Sequence, residues 1–268
     1  MLDITLLKVE HKGELEAKKL LPYIEKCDVF APEAAGEIAV RAMHLEKTWY
    51  GQLNLSRSRV APILAKNYSS HPPLMADYNI KRDDYLFRNK KPLYYLEKWP
   101  EGSSLNDRFA FHHSLMGAAL DRLSRRDITS FLNTSSQAIE VLANLVKLRD
   151  RHIAENITNA EHHIRTVYPR LTKSTLSLVA EIGLAHNPQI YTTLPLSIID
   201  LSELDLLSRF GATTLSRLIA SENQSECSPQ DLLAFGLMTL KSMRGLSVDE
   251  HALISADFDE LKRIAANL

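Results

Sequence analysis

The sequence is poor in the features that mark secreted, membrane-bound and disulfide-rich proteins. It contains only two cysteines among 268 residues, and neither Cys27 nor Cys227 belongs to a metal-binding or redox pattern. No apolar run approaches the ~18–20 residues that cross a bilayer, and a strand pattern starts at Leu2 without a signal-peptide pattern before it. These absences predict a soluble, cytoplasmic protein with reduced thiols and no membrane partner. Cys27, at the end of an apolar helix pattern, is expected to be a small buried residue.

Neither sign of charge dominates the chain. Lys and Arg number 32 and Asp and Glu number 33, which gives a formal net charge of −1. A general nucleic-acid-binding protein normally carries a basic excess, so no nucleic-acid partner is expected. The basic clusters within residues 81–91 and 122–126 are expected to be solvated helix faces or loops. The length and the 45% hydrophobic content predict one globular domain, with a sheet-containing core over residues 1–200 and a helical C-terminal extension over 201–268.

Four strand-like runs each lead to an ionisable residue. The runs and the residues that follow them are Ile4–Val9 before His11, Asp28–Pro32 before Glu33, Pro92–Leu96 before Glu97, and Leu176–Gly183 before His186. A helix pattern after Gly13 links the first two runs, and strand, helix and strand within about 30 residues make a βαβ unit with parallel pairing. The fold class predicted is therefore α/β, with a mainly parallel sheet flanked by helices. Ligands bind beyond the carboxyl ends of such strands, so the four ionisable residues are expected to converge on one site.

The remaining patterns are mostly helical. A helix is expected from Ala34 to about Leu53, and residues 56–91 are expected to be a polar loop because Pro72 and Pro73 exclude a helix interior at that point. Two further helices are expected over 105–126 and 127–168, and a short strand over 195–200. Capping patterns predict helix starts near three serines, Ser202, Ser228 and Ser247. The chain has no Gly-rich phosphate loop, nucleophile-elbow serine or His-Glu-x-x-His sequence.

Five sequence elements occur in an order that resembles a known family. They are Lys8-Val9-Glu10-His11, Phe30-Ala31-Pro32-Glu33, the strand Lys91–Glu97, the helix segment Leu148–Ile157 and Gly183-Leu184-Ala185-His186. From about Ile4 to His186 this set resembles the TraB/PrgY and TIKI family, with erythromycin esterase and ChaN as more distant relatives. That family has two Gly-x-x-His motifs, and Lys8 stands where the first would have Gly. Its helix carries Arg-Asn, where this chain has Arg149 followed by Asp150.

The resemblance implies hydrolysis of a peptide or an ester bond and does not select between them. It implies that His11 and His186 are metal ligands or bases, that Glu33 and Glu97 are their carboxylate partners, and that Arg149 is an anion clamp. A divalent metal of unknown identity, held by His11, Glu33 and His186, is part of this expectation. On the helix, Arg149 is expected to reach the carboxylates and Arg151 to be more exposed. The same groups would also bind a peptide or small-molecule ligand without turnover, so a non-catalytic binding or signalling module on this fold remains the alternative.

Overall fold

The computed structural model describes residues 1–9, 13–33, 73–89, 91–96, 105–183, 186–201, 228–244 and 250–267. The strands are β1 (Leu2–Val9), β2 (Val29–Ala31), β3 (Leu176–Gly183) and β4 (Ser197–Asp200). The helices are α1 (Gly13–Lys26), α2 (Pro73–Arg88), α3 (Leu105–Ser124), α4 (Ile128–Val167), α5 (Pro229–Arg244), α6 (Glu250–Ser255) and α7 (Phe258–Ala266). A 3₁₀ helix covers Pro188–Tyr191.

The described strands form one four-stranded sheet in the order β2-β3-β1-β4, and every pairing in it is parallel. The predicted α/β class with a parallel sheet is therefore confirmed. In the register of β1 against β3, Val9 pairs with Gly183, and Ala31 at the end of β2 pairs with Ala180. The carboxyl ends of β1, β2 and β3 thus lie along the same edge of the sheet, which is the edge where the predicted site residues follow the strands.

Helices cover both faces of the sheet, because the strands are apolar on both sides. On one face, Ile4 and Leu6 of β1 belong to a buried cluster that includes Ile153 and Ile157 of α4. On the other face, Leu7 of β1 belongs to a buried cluster with residues of α1 and α2. This double burial is typical of parallel sheets in α/β proteins. It places α4 on one side of the strand ends and α2 on the other.

Two expectations about residues 56–96 are wrong. The predicted loop contains α2, which starts at Pro73, and proline is well tolerated at the first position of a helix because no helical bond needs its missing N–H. The predicted strand over 92–96 is reduced to an isolated parallel bridge between Phe30 and Leu93. Pro92 has no N–H to donate, although its carbonyl accepts the N–H of Phe30 at 2.9 Å.

The other predicted elements are present wherever the structure describes them. The helices predicted over 105–126 and 127–168, the strand 176–183 and the short strand ending at Asp200 are all confirmed. The capping role of Ser228 is confirmed, since its Oγ accepts the N–H of Asp231 at 3.0 Å. The helix expected over 34–53 and the starts near Ser202 and Ser247 lie outside the described residues.

The chain divides into two compact units. The first comprises Met1–Glu101 and Arg149–Glu203, and contains the whole described sheet. The second comprises Gly102–Leu148 and Leu204–Leu268, and has its own buried cluster from α3, α5, α6, α7 and the first part of α4. Within the described ranges, no helix combines the length and the apolar character that crossing a bilayer requires.

Candidate functional site

Three of the predicted site residues meet at the carboxyl ends of β2 and β3. Glu33 follows β2 and His186 follows β3, while Arg149 comes from α4. The Nη2 of Arg149 donates to Oε1 of Glu33 at 2.9 Å, and Nε2 of His186 lies 3.6 Å from the same oxygen. The expected convergence is thus confirmed for Glu33 and His186, two of the four residues for which it was predicted, and Arg149 reaches Glu33 as expected. The other two, His11 and Glu97, lie outside the described residues.

Asp150 holds the ring of His186 in a fixed orientation. Its Oδ1 lies 2.6 Å from Nδ1 of His186, and its Oδ2 accepts the backbone N–H of Asn187 at 2.8 Å. Asp150 is 1% exposed and His186 is 2% exposed. Because a carboxylate only accepts hydrogen bonds, this contact assigns a proton to Nδ1 and turns Nε2 toward Glu33. A carboxylate on one imidazole nitrogen commonly orients the other one for chemistry or for metal binding.

Gly183 lets the glutamate and the histidine approach each other closely. A Cβ atom built on Gly183 would lie 3.3 Å from Oε2 and 3.4 Å from Oε1 of Glu33, and 3.5 Å from Cδ2 of His186. The N–H of His186 also donates to the carbonyl of Gly183 at 3.0 Å. The glycine of the Gly-x-x-His sequence therefore has a steric reason in this chain, which is the space that the Glu33 carboxylate occupies.

Neighbouring residues of α4 point in the directions that helical spacing predicts. Arg149 is half-buried and paired with Glu33, whereas Arg151 is exposed and places its guanidinium 5.4 Å from the ring centre of Tyr191. Asp150 lies between these two arginines in the sequence and turns toward His186. The expectation for Arg149 and Arg151 is therefore confirmed. The contact between Asp150 and His186 was not predicted from the sequence, in which Asp150 is only a departure from the asparagine of the family that the chain resembles.

A second polar cluster is centred on Glu181 of β3. Its Oε1 accepts from Nη1 of Arg82 and, at 3.0 Å, from the backbone N–H of Glu33, while its Oε2 accepts the hydroxyl of Tyr78 at 2.9 Å. Glu181 and Arg82 are both buried, so the expectation that Arg82 belongs to a solvated cluster is wrong. Burial, with the nearby Glu181 charge as the next largest cause, raises the pKa of Tyr78 well above its ordinary value of 10.0. The phenol thus donates a hydrogen bond as a neutral group.

One signal in the sequence could have identified Glu181. Glu181 is a carboxylate with apolar neighbours inside a strand, and it lies on the same face of that strand as Val179, which is buried. A buried carboxylate requires a partner, because the cost of moving a charge out of water is large. That requirement predicts a cation nearby, although the sequence alone does not single out Arg82.

The described residues supply only part of the predicted metal site. Of the three expected ligands, Glu33 and His186 are described, and the Asp150–His186 contact suits a ligand histidine. However, Oε1 of Glu33 already accepts a hydrogen bond from Arg149. The positive charge of Arg149 disfavours the binding of a metal cation at that oxygen. Within the described residues there is no group of three or more His, Cys, Asp or Glu side chains that could hold a metal ion. The metal therefore remains a prediction, and no chemical step below depends on it.

The arrangement of these residues suits proton transfer beside a positive charge. His186 offers an oriented ring nitrogen, Glu33 a carboxylate next to it, and Arg149 a guanidinium that hydrogen bonds to that carboxylate. Comparison with known proteins does not identify the chain, since no protein-family model, curated protein or solved structure matches it. The resemblance to the TraB/PrgY and TIKI family therefore remains a prediction.

Proposed function

We propose that this chain is a hydrolase that cleaves an amide or ester bond in a peptide or small molecule, with His186 as its general base. The observation that carries the proposal is the Asp150–His186 contact of 2.6 Å, which turns Nε2 of the ring toward Glu33. An oriented imidazole beside a carboxylate is an efficient arrangement for taking a proton from water near neutral pH. We place this activity in the cytoplasm, in line with the scarcity of cysteine.

The reaction that these groups support is direct attack by water. Nε2 of His186 takes a proton from the water as its oxygen bonds to the carbonyl carbon of the substrate. The imidazolium that forms is stabilised by Asp150 on one nitrogen and by the nearby Glu33 on the other. Positive charge at Arg149 stabilises the tetrahedral oxyanion. When that intermediate collapses, the imidazolium returns the proton to the leaving alcohol or amine, so the charges and protons balance.

The experiment is a substrate screen on the purified full chain with a matched pair of histidine variants. The panel contains p-nitrophenyl esters of different acyl length and fluorogenic peptides. His186→Asn keeps a donor near the Nδ1 position while removing the base, and we expect it to lower kcat/KM by at least ~100-fold. His162→Ala is the control, because His162 is exposed on α4 in the same unit, and we expect it to leave kcat/KM unchanged.

Two results would contradict the hydrolase proposal. One is a wild-type protein that turns over no member of the panel, and the other is equal activity in the wild type and His186→Asn. The second candidate function, a non-catalytic binding module, is favoured by a specific observation. The carboxylates of Glu33 and Asp150 are already bonded to Arg149 and His186 in a largely buried cluster. In a binding module, a bound ligand would rearrange such an internal network. A rise in melting temperature with an anionic peptide, without turnover, would support that alternative.

A further inference from the structure

We infer that Glu181 is a positioning residue that fixes Glu33 beside His186 and Arg149, and that Arg82 and Tyr78 hold Glu181 for this purpose. The inference rests on the proposed function, in which Glu33 stabilises the protonated His186. Glu181 itself is expected to touch neither substrate nor the reacting water. It acts through the main chain of Glu33, whose N–H donates to Oε1 of Glu181 at 3.0 Å.

Glu33 lies just outside the paired part of the sheet. The ladder between β2 and β3 ends where Ala31 pairs with Ala180, so Glu33 lies beyond the last paired residue of its strand. Its N–H donates to the side-chain carboxylate of Glu181 in β3 at 3.0 Å. Glu181 thus continues the link between the two strands beyond the end of the ladder, at the point where the candidate site begins.

Glu33 is held both at its backbone and at its carboxylate. Glu181 accepts its backbone N–H, and Arg149 donates to its side-chain Oε1 at 2.9 Å. A glutamate side chain has three rotatable bonds, so fixing the backbone and the carboxylate together restricts where Oε1 can lie. The 3.6 Å separation between that oxygen and Nε2 of His186 therefore depends on both contacts.

Glu181 is itself fixed by two residues of α2. Tyr78 and Arg82 are four residues apart on α2, so they lie on one face of that helix, and they bind different oxygens of the carboxylate. Oε1 of Glu181 accepts hydrogen bonds from Arg82 and from the N–H of Glu33, and Oε2 accepts one from the Tyr78 hydroxyl. Arg82 also neutralises a buried negative charge that would otherwise repel the carboxylate of Glu33. A buried ion pair is weak evidence for a gain in stability, so its bond to the site residue is the more informative contact.

The structure provides a matched control at the opposite ends of the same two strands. Asp28, just before β2, accepts the backbone N–H of Ser177 in β3 at 3.0 Å. It also has a cation partner, because Nζ of Lys173 donates to it at 2.6 Å. Asp28 and Glu181 therefore make the same kind of link, in which a carboxylate accepts a backbone N–H across the β2–β3 pair. Only the Glu181 link involves a residue of the candidate site.

The test compares Glu181→Gln with Asp28→Asn in the full chain by two measurements. The first is ¹H–¹⁵N NMR of the Glu33 amide and of the His186 ring nitrogens, with the ring signals assigned from their absence in His186→Asn. In Glu181→Gln we expect the Glu33 amide to lose at least ~10-fold of its protection from hydrogen exchange and the His186 ring signals to move toward those of Glu33→Gln. In Asp28→Asn we expect both to stay at their wild-type positions.

The second measurement is steady-state kinetics on any substrate that the screen identifies. We expect Glu181→Gln to lower kcat by about 10- to 100-fold with KM changed by no more than about twofold, because misplacing a catalytic group by about 1 Å has effects of that size. Asp28→Asn should leave kcat unchanged. If the wild type turns over no substrate, the proposed function fails, but the NMR comparison still decides whether Glu181 positions Glu33.

The inference is overturned if Glu181→Gln lowers the melting temperature while the His186 signals and kcat stay at wild-type values, since Glu181 would then be structural only. It is also overturned if Asp28→Asn moves the His186 signals as far as Glu181→Gln does. Should Glu181→Gln fail to fold, the double variant Arg82→Gln with Glu181→Gln removes both buried charges together. The same NMR and kinetic measurements on that double variant then support or overturn the inference in the same way.

Discussion

The carboxylate of Asp150 binds two consecutive residues of the chain that follows β3, with Oδ1 2.6 Å from Nδ1 of His186 and Oδ2 2.8 Å from the N–H of Asn187. Each oxygen therefore accepts from a different donor. The carboxylate fixes the direction of the imidazole ring and also the backbone immediately after it. Because Asp150 follows Arg149 on α4, one short helical segment provides both the group that orients His186 and the cation that binds Glu33.

Asp150→Asn should disrupt this arrangement while leaving the shape of the side chain unchanged. An amide has one acceptor oxygen, so its NH₂ group must face either Nδ1 of His186 or the N–H of Asn187. We expect the proton of the ring to move to Nε2, which ¹⁵N shifts of the His186 ring would report directly. We also expect kcat/KM to fall by at least ~100-fold and the free energy of unfolding to fall by about 1–3 kcal/mol. Asp121→Asn, on the exposed face of α3, is the control.

Gly183→Ala tests whether the closeness of Glu33 and His186 depends on the missing side chain. The added methyl would lie 3.3 Å from a carboxylate oxygen of Glu33, which is tighter than most contacts of a Cβ atom. We expect Glu33 to be displaced, at a cost of about 1–2 kcal/mol in the free energy of unfolding, with a loss of activity. Urea denaturation and kcat/KM check this. A variant with wild-type stability and wild-type kcat/KM would show that the site accommodates a methyl group there.

Much of the sheet could be predicted from the sequence, because β1 and β3 carry apolar residues that are buried on both faces of the sheet. The run 176–183 predicted β3 at both ends, and the helix predicted over 127–168 matches α4 to within one residue at each end. The helix α2 was missed because Pro72 and Pro73 indicated a loop and because the buried stripe of the helix contains a charge. Tyr78, Arg82 and Leu86 are four residues apart and all buried, but an arginine in the middle of that stripe makes the segment look polar all round.

The site was only partly predictable, for a related physical reason. Glu33, Arg149 and His186 were found because they follow strands or match a motif, and parallel strands bring their carboxyl ends to one edge. Asp150 and Glu181 act through partners that are distant in sequence. Asp150 lies 36 residues from His186, and Glu181 lies 99 residues from Arg82. Such pairings depend on how α4 and α2 pack on the sheet, which periodicity does not specify.

Asp28→Asn should alter the pH dependence of stability. Burial opposes ionisation of Asp28, but hydrogen bonds from Lys173 and Ser177 outweigh it and lower the pKa of the carboxyl below its ordinary value of 3.8. A pKa that is lower in the folded protein than in the unfolded chain gives stability that is present above about pH 4. That stability is lost as the pH falls through the folded pKa.

The expected result is a difference in the free energy of unfolding of about 1–2 kcal/mol between wild type and Asp28→Asn at pH 6–7. The difference should shrink as the pH falls below about 4, because the wild-type carboxyl then becomes protonated. Urea denaturation at intervals from about pH 2.5 to 7 measures it. A difference that is constant over this range would show that the charge of Asp28 is not responsible.

Two glycines in helices of the second unit should respond to alanine with opposite signs. Replacing Gly by Ala inside a helix gains about 0.8–1 kcal/mol of helix propensity. At Gly117 of α3, no atom of the described residues beyond the glycine's own helix backbone lies within 4 Å of the added Cβ, so Gly117→Ala should raise the free energy of unfolding by about that amount.

At Gly236 of α5 the Cβ would lie 2.4 Å from Cζ of Phe131 and 2.9 Å from Cδ2 of Leu123. Both neighbours are buried in the core of that unit, where overpacking costs about 1–3 kcal/mol. Gly236→Ala should therefore lower the free energy of unfolding by up to about 2 kcal/mol, as measured by urea denaturation. Stabilisation by both substitutions would contradict the close packing of Phe131 against α5.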